Sequence, residues 1–317
     1  MLALIIKLVG VKRAMRFLPP VVTGPIIICI GLSLAPSAVN NVQTNWLLAI
    51  IAFAIIVIFN IWGKGMWKII PILLGIAGAY VVALILHFCG ITNPDGSAIF
   101  NFAEVAKASW VNVPSFEFCK FDLTAILAMA PIAIASMMEH IGDISAISAT
   151  VGENYVEDPG LHRTLIGDGL ATSLSALVGG PANTTYGENT GVLELSRVHD
   201  PKVIRLAAIY AVVLSFIPKF AGIISTLPAA IVGGVSFILY GMIAAIGVRN
   251  VVENKVDFTK SRNLIIAATI LVCGLGFSSG LTFQIAGTSI TLTGLAIAAI
   301  MGVLLNALLP GREEDKE

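Results

Sequence analysis

Residues 122–148 read DLTAILAMAPIAIASMMEHIGDISAIS. No charged side chain interrupts the run from Leu123 to Met138. A helix that crosses roughly 30 Å of hydrocarbon needs about 20 predominantly apolar residues. This stretch meets that demand, and near its far end it carries two acids, Glu139 and Asp143. Working outward, comparable apolar runs occupy 18–37, 44–62, 69–91, 160–178, 202–225, 227–248, 262–279 and 292–309, and 189–198 reads as a half-span. The whole chain agrees with this reading. Of 317 residues only 12% are charged, 57% belong to the hydrophobic set, and 30 are glycine. A soluble fold of that size must cover its surface with charge, and this composition cannot do so. The sequence therefore predicts an all-α polytopic membrane protein.

Several classes are excluded at once. Lys+Arg and Asp+Glu both number 19, so the net charge is zero, which removes a nucleic-acid binder driven by phosphate neutralisation. The four cysteines (Cys29, Cys89, Cys119, Cys273) are scattered without a CxxC pair, so neither a metal site nor a disulfide framework is expected. No Walker loop, HExxH or GxSxG occurs, so no ATPase or hydrolase, and no cofactor, is expected.

Lysine and arginine set the orientation. When the connections between spans are numbered alternately, 16 of the 19 basic residues fall in one set; the other holds only Lys107 and Lys120, and Lys219 lies inside a span. The first set is placed in the cytoplasm. Trp46, Trp62 and Trp67 fall at span ends, where indole rings prefer the interface. The alternation closes only if 160–178 and 189–198 together make one return trip, which points to broken helices around 179–188. The long outer loop 92–121 is expected to carry a short amphipathic surface helix over 98–110, and the tail Gly311–Glu317 is charged and expected to be disordered.

A repeat is visible. Leu18-Pro19-Pro20-Val21-Val22-Thr23-Gly24 matches Leu227-Pro228-Ala229-Ala230-Ile231-Val232-Gly233 as LPxx[VI]xG, an offset of 209 residues from Leu18 to Leu227. Each copy opens a span and is followed by two more, and the two copies run in opposite directions. That is an inverted-topology repeat, a plan of many secondary transporters. Chance is the competing explanation, since Leu-Pro and Gly are common at helix starts. The offset also predicts counterparts of 122–226 ahead of the first copy, beginning near position −87. Met1–Gly10 then reads as the remnant of a helix, in a transporter lacking about three spans and most of a fourth.

Ionisable groups within spans are costly and are functional candidates by default. Glu139 and Asp143 stand at i and i+4, on one side of one helix. Two carboxylates that approach in a dry site share a proton, which suits proton-coupled transport. The competing reading is a helix end facing cytoplasmic water. The second candidate is Gly179-Gly180-Pro181-Ala182-Asn183-Thr184-Thr185-Tyr186-Gly187-Glu188-Asn189-Thr190-Gly191. Glycines and proline break the helix, Ala182–Tyr186 can extend as a short strand, Gly187 permits close backbone approach, and Glu188 opens a half-helix. Irregular backbone at membrane depth is tolerated only where it lines a cavity or is buried in protein. An ordinary extramembrane turn is the alternative. Asp168 either joins a polar network with Glu139 and Asp143 or caps a helix break. His140, beside Glu139 but pointing elsewhere, is assigned a packing role, Glu194 a helix-end role, and Lys219 a gate-side or structural one. His87, His162 and His199 read as interfacial.

These motifs together resemble the nucleobase–ascorbate transporter family. The resemblance is carried by Glu139-His140-Ile141-Gly142, Asp158-Pro159-Gly160-Leu161-His162-Arg163, Asn183-Thr184-Thr185-Tyr186-Gly187-Glu188-Asn189-Thr190-Gly191-Val192 and Val235-Ser236-Phe237-Ile238-Leu239-Tyr240-Gly241. It extends over essentially the whole chain, and the Asn183–Asn189 stretch is its specific part. It implies fourteen spans in two inverted repeats of seven, with a core domain, a gate domain and two short antiparallel strands meeting at the midplane. On that plan residues 1–10 are the remnant of a core helix, 11–91 the gate spans of the first repeat and 92–121 an extracytoplasmic loop. Residues 122–226 are then the core spans with the substrate site, 227–310 the gate spans of the second repeat, and 311–317 a cytoplasmic tail.

The resemblance further implies that Glu139 and Glu188 hold a nucleobase with Asp143 in the same substrate site, that the backbone at Tyr186–Gly187 adds contacts, and that Glu139, Asp143, Glu188, Asp168 and Asn189 form the proton-linked polar network. A stacking aromatic of the first-repeat strand would precede Met1. Two departures bear on substrate. Asp143 stands where uracil-transporting members often have His, and Glu188 where the purine branch usually has Gln. The implied function is import of uracil by proton symport with alternating access, in a bacterial plasma membrane and in a possible homodimer. A xanthine or purine permease is the alternative. An anion transporter on the same plan is disfavoured by acids at both Glu139 and Glu188, and an inert fragment is the remaining reading. The chemistry fits a flat, neutral base: a carboxylate accepts from a ring N–H, while a protonated carboxyl or backbone N–H donates to a ring carbonyl.

Overall fold

Proline opens the two helices on which the chain is organised. Pro20 has no N–H to leave unpaired at a first helical position and its φ is already helical, so α1 starts there and runs Pro20–Gln43. Pro19 caps it, its carbonyl accepting from Val22 N (2.8 Å) and Thr23 N (3.1 Å). The long helix Ala229–Glu253 begins the same way, with Pro228 O accepting from Ile231 N (2.9 Å) and Val232 N (3.2 Å). Adding 209 to the first pair of bonds gives the second.

The computed structural model describes residues 19–186, 189, 193, 197–285 and 288–311. The expected helix remnant Met1–Gly10, most of the half-span 189–198 and nearly all of the tail Gly311–Glu317 lie outside those residues. After α1 come α2 (Trp46–Trp62), α3 (Met66–Ile69), α4 (Pro71–Phe88), α5 (Ala103–Lys107), α6 (Leu123–Val151), α7 (Leu161–Leu177), α8 (Pro201–Ser215), α9 (Pro218–Ser225), α10 (Ala229–Glu253), α11 (Ser261–Gly276), a hairpin β1 (Leu281–Ile285) and β2 (Thr288–Leu292), and α12 (Gly294–Leu308). The protein is an all-α polytopic membrane protein. Among the described residues, α1, α4 and α10 are each long and apolar enough to cross a bilayer, and α8 with α9 make a fourth such element with a break. The span expected over 202–225 is therefore corrected: it bends by 92° between Ser215 and Pro218. Proline at 218 lacks a donor and pushes Ile217 out of the helical region, to φ −113° and ψ 86°.

Two compact units arise by contact: residues 1–33, 117–190 and 241–317, and residues 34–116 and 191–240. In the first, Val22 and Ile26 of α1, Ile141 of α6, Leu161 of α7 and Ile266 and Ile270 of α11 make a buried core, with Ala298 and Ala299 of α12. Arg262 closes the free end of α12: its Nη2 donates to Asn306 O (2.9 Å) and Oδ1 (2.8 Å), and its Nε to Leu309 O (3.3 Å). Helix-end carbonyls are well served by a cation in this way. The hairpin pairs antiparallel, Leu281 with Leu292 through Ile285 with Thr288, and was not anticipated.

In the second unit Leu48, Ala52 and Ile56 of α2 pack on Ala79 and Ala83 of α4 and on Ile231 and Val235 of α10. The loop 92–121 is more than decoration. Ile99 and Phe100 are buried, and Phe100 meets the Tyr80 ring edge-on at 4.9 Å. The helix expected over 98–110 shrinks to α5, because Ile99 and Phe100 serve the core instead of a surface face. Lys219, beside the break in the 202–225 span, donates to Val105 O (3.2 Å) and lies over the Trp110 ring at 5.2 Å, a structural role. At the loop's start Asp95 accepts from Ser97 Oγ (2.7 Å) and N (2.9 Å), and those bonds hold its carboxyl below the usual carboxylate range.

The interfaces of α10 depend on missing side chains. In the first unit a Cβ on Gly247 would stand 2.7 Å from Gly24 O and 2.7 Å from Ile28 N, both backbone atoms of α1. Gly24 in turn faces Val251. In the second unit a Cβ on Gly233 would stand 2.6 Å from Val42 N. The pair Gly24–Val251 becomes Gly233–Val42 when the same 209-residue offset is applied to one partner and removed from the other. Without a hydrophobic drive between helices in lipid, such close small-residue packing supplies the association. Gly247→Ala is expected to destabilise the protein by about 1–3 kcal/mol, the usual cost of overpacking, because the obstacle is backbone. Gly241→Ala, on the same helix with nothing within 4 Å, is expected to be neutral or mildly stabilising. Thermal unfolding of both variants in detergent checks this; equal melting temperatures would contradict it.

Candidate functional site

The site is built on two helical stripes and one irregular segment, all in the first unit. Helix α6 is fixed at both ends. Asp122 accepts from Ala125 N (2.8 Å) as its N-cap, and Gly152 ends it in the left-handed conformation at φ 83°. Along it, Ser136, Glu139, His140 and Asp143 recur at i, i+3, i+4 and i+7, the spacing of a single face. On α7, Asp168, Thr172 and Ser175 recur at i, i+4 and i+7. The segment Pro181–Tyr186 carries no helix and no ladder. The strand expected over Ala182–Tyr186 is thus not formed among the described residues; a strand requires a partner strand, and the partners here are side chains.

Side chains of α6 and α7 meet four residues of the segment. Ser175 Oγ donates to Pro181 O (2.7 Å). Thr172 Oγ1 donates to Asn183 O (3.2 Å) and accepts from Asn183 N (3.3 Å), doing in one residue what a neighbouring strand would do. Thr184 Oγ1 donates to Glu139 Oε2 (3.3 Å) and stands 3.5 Å from Ser136 Oγ. Thr185 Oγ1 lies 2.8 Å from His140 Nδ1. The same ring nitrogen is 3.9 Å from Asp168 Oδ2, so Asp168 meets α6 through the imidazole.

Of the residues singled out in the sequence, Glu139 is half-buried and Asp143 is only 2% exposed. Asp143 sits where α6 passes α1 and α10: its neighbour Gly142 faces Ile27 and Asn250, and Asn250 Nδ2 donates to Thr23 Oγ1 (3.3 Å). Asp168 is brought to His140. Tyr186 is exposed, and its carbonyl accepts from Asn189 N (3.2 Å). Gly187, Glu188 and Glu194 lie outside the described residues. A cavity of about 600 Å³ opens on the α7 side, walled by Asp168, Thr172, Ser173, Ser136 and Asn183 with apolar Met129 and Leu165; Glu139 and His140 are not in its walls. Sequence reading passed over Thr172, Ser175, Thr184 and Thr185, and gave His140 a packing role. The available signals were the polar spacing Asp168–Thr172–Ser175 on α7 and adjacent threonines in a segment too broken to be a helix.

A polytopic helical protein that presents a carboxylate stripe to an unwound polar segment has the build of a membrane transport protein, and comparison with known proteins bears this out. The model of the Permease family matches residues 1–283. The uracil permease of Bacillus subtilis (strain 168) is 40% identical, over 100% of this chain and 74% of that protein. The uracil permease of Bacillus caldolyticus is 39% identical over 99% and 73% respectively. The putative pyrimidine permease RutG of Escherichia coli (strain K12) is 37% identical over 97% and 68%. The chain belongs to this permease family, that of the nucleobase–ascorbate transporters, and so to transporters and not to enzymes.

The geometry predicts that Thr172 is the anchor of Asn183. Thr172→Val keeps the shape and removes both bonds, worth about 1 kcal/mol each. Amide hydrogen exchange at Asn183 is expected to rise at least fivefold in Thr172→Val and to stay near wild type in Thr172→Ser. Unchanged exchange in both would contradict the anchoring.

Proposed function

We propose that this protein imports uracil as a secondary transporter, with Glu139 as the acid that holds the base. The observation that carries the reading is the Glu139 carboxylate, set on the polar stripe of α6 and joined by Thr184 to the unwound segment. Such a carboxylate accepts from a ring N–H, and buried polar groups left without a partner penalise a wrong base. Glu188 and the backbone at Tyr186–Gly187 complete the contact on this reading. The uracil permeases among the relatives favour uracil over other bases. Asp143 favours the second reading, a xanthine permease, because on the family resemblance it stands where uracil-transporting members often have His.

Coupling is assigned to protons. Glu139 and Asp143, one turn apart on α6, hold one proton between them, and Asp168, Glu188 and Asn189 extend the network. Movement is assigned to alternating access of a core domain, 122–226, against gate spans 11–91 and 227–310. The reciprocal contacts Gly24–Val251 and Gly233–Val42 support the inverted repeat behind that scheme. The density of basic residues supports a cytoplasmic location for the connections 63–68 and 249–262 in a bacterial cell, with the lipid bilayer and a second copy as partners.

In membranes of a uracil-uptake-deficient cell, Glu139→Gln is expected to insert normally and to lose at least a hundredfold in uracil affinity. Uptake by the unaltered protein should rise as external pH falls and collapse with an uncoupler, and excess xanthine should compete poorly. Wild-type affinity in Glu139→Gln would remove Glu139 from the site. Sodium-dependent uptake indifferent to uncouplers would remove the proton coupling, and strong competition by xanthine would favour the purine reading.

A further inference from the structure

His140 is the least exposed member of the contact between α6 and the unwound segment, and Thr185 is the least exposed residue of Pro181–Tyr186. His140 is 5% exposed, and burying an imidazole so completely is costly unless its nitrogens are paired. Nδ1 is paired, with Thr185 Oγ1 at 2.8 Å, and it faces Asp168 Oδ2 at 3.9 Å. Nε2 is buried without a hydrogen-bond partner among the described residues. The proton of a neutral imidazole goes to the nitrogen whose partners accept it. A carboxylate and a hydroxyl both face Nδ1, so Nδ1 carries the hydrogen and donates to Thr185, and the atom left bare is an acceptor.

The contact has a register. Glu139 meets Thr184 and His140 meets Thr185, both at a sequence separation of 45. Adjacent residues on a helix point about 100° apart, and adjacent residues on an extended chain point to opposite sides. Two consecutive rungs therefore form only if the segment lies across α6 in one place. A slip that put Thr185 at Glu139 would leave His140 without its only hydrogen-bond partner among the described residues. The buried rung sets the register and the more open rung, at Glu139, follows from it.

We infer that His140 is a positioning residue of the transport site: oriented by Asp168, it holds Thr185 so that the Thr184 hydroxyl is delivered to the Glu139 carboxylate. This inference rests on the reading of Glu139 as the substrate-holding acid for its consequence in transport, while its structural half stands on the hydrogen bonds alone. His140 does not touch the base. It acts through the segment, as a carboxylate acts through histidine in other preorganised sites.

The test uses the full chain with Thr185→Val, Thr185→Ser, His140→Asn and His140→Leu, and two readouts. The first is amide hydrogen exchange over 181–186. The second is uptake of labelled uracil, resolved into KM and maximal rate. Thr185→Val removes the hydroxyl at nearly constant shape. Asn at 140 keeps a donor one bond from Cγ, where Nδ1 stands, and Leu does not. Thr185→Val and His140→Leu are expected to raise exchange over 181–186 about tenfold and KM about tenfold, with the maximal rate within twofold. The Thr185→Val/His140→Leu double variant should be no worse than either single one. Thr185→Ser and His140→Asn should stay within threefold of wild type on both readouts. Wild-type exchange in Thr185→Val would overturn the inference. So would raised exchange with an unchanged KM, or equal damage from Ser and Val at 185. If the unaltered chain takes up no uracil while exchange responds as stated, it is the transport reading that fails and the clasp that stands.

Discussion

A backbone that leaves its helix has to find other partners for its N–H and C=O groups, and α7 meets part of that demand for Pro181–Tyr186 through Ser175 and Thr172. Each unpaired group in hydrocarbon costs several kcal/mol, so an unwound segment survives only where protein surrounds it. Ser175 and Thr172 serve the backbone directly, and Thr184 and Thr185 reach back to Glu139 and His140. The helices must therefore present their polar residues on single faces, and the spacings 136–139–140–143 and 168–172–175 follow.

The second constraint is close packing without side chains. Helices in lipid gain nothing from burying leucine against leucine, so contact has to be intimate to count. Gly24, Gly233 and Gly247 let backbones meet, and Arg262 then closes the end of α12 with charge-assisted bonds to Asn306. Gly24 and Gly233 stand at the same depth in their helices, five residues after Pro19 and Pro228.

Much of the architecture was legible in the sequence because the bilayer imposes a length. Apolar runs at 18–37, 44–62, 69–91, 122–148, 160–178, 227–248, 262–279 and 292–309 all became helices with ends displaced by a few residues. What composition could not show was the 92° break at Pro218, since both halves are equally apolar. It also hid the burial of Ile99 and Phe100 in a loop otherwise rich in turn residues, and the hairpin 281–292, whose alternating pattern lies in a connection between spans. In the site, Glu139, Asp143 and Asp168 stood out because charge is rare within spans. Thr172, Ser175, Thr184 and Thr185 did not, because hydroxyls are cheap in a helix and carry no signal until their partners are known. His140 is buried, as a packing role requires, and its hydrogen bond to Thr185 could not be read from the sequence for a related reason. Its neighbour Glu139 points elsewhere on the helix, but the segment that passes both is extended and reaches each with a different threonine.

The central claim is that the segment around Thr184 lies against the face of α6 that carries Glu139 and that the base is held there. The most direct measurement is an oxidative cross-link between cysteines at 136 and 184, where the native hydroxyls stand 3.5 Å apart, in a protein whose four native cysteines are replaced by serine. The account predicts that the Ser136→Cys/Thr184→Cys protein closes to near completion under mild oxidation and loses uracil binding when closed. Absence of the cross-link, or undiminished uracil binding by the closed protein, would contradict it.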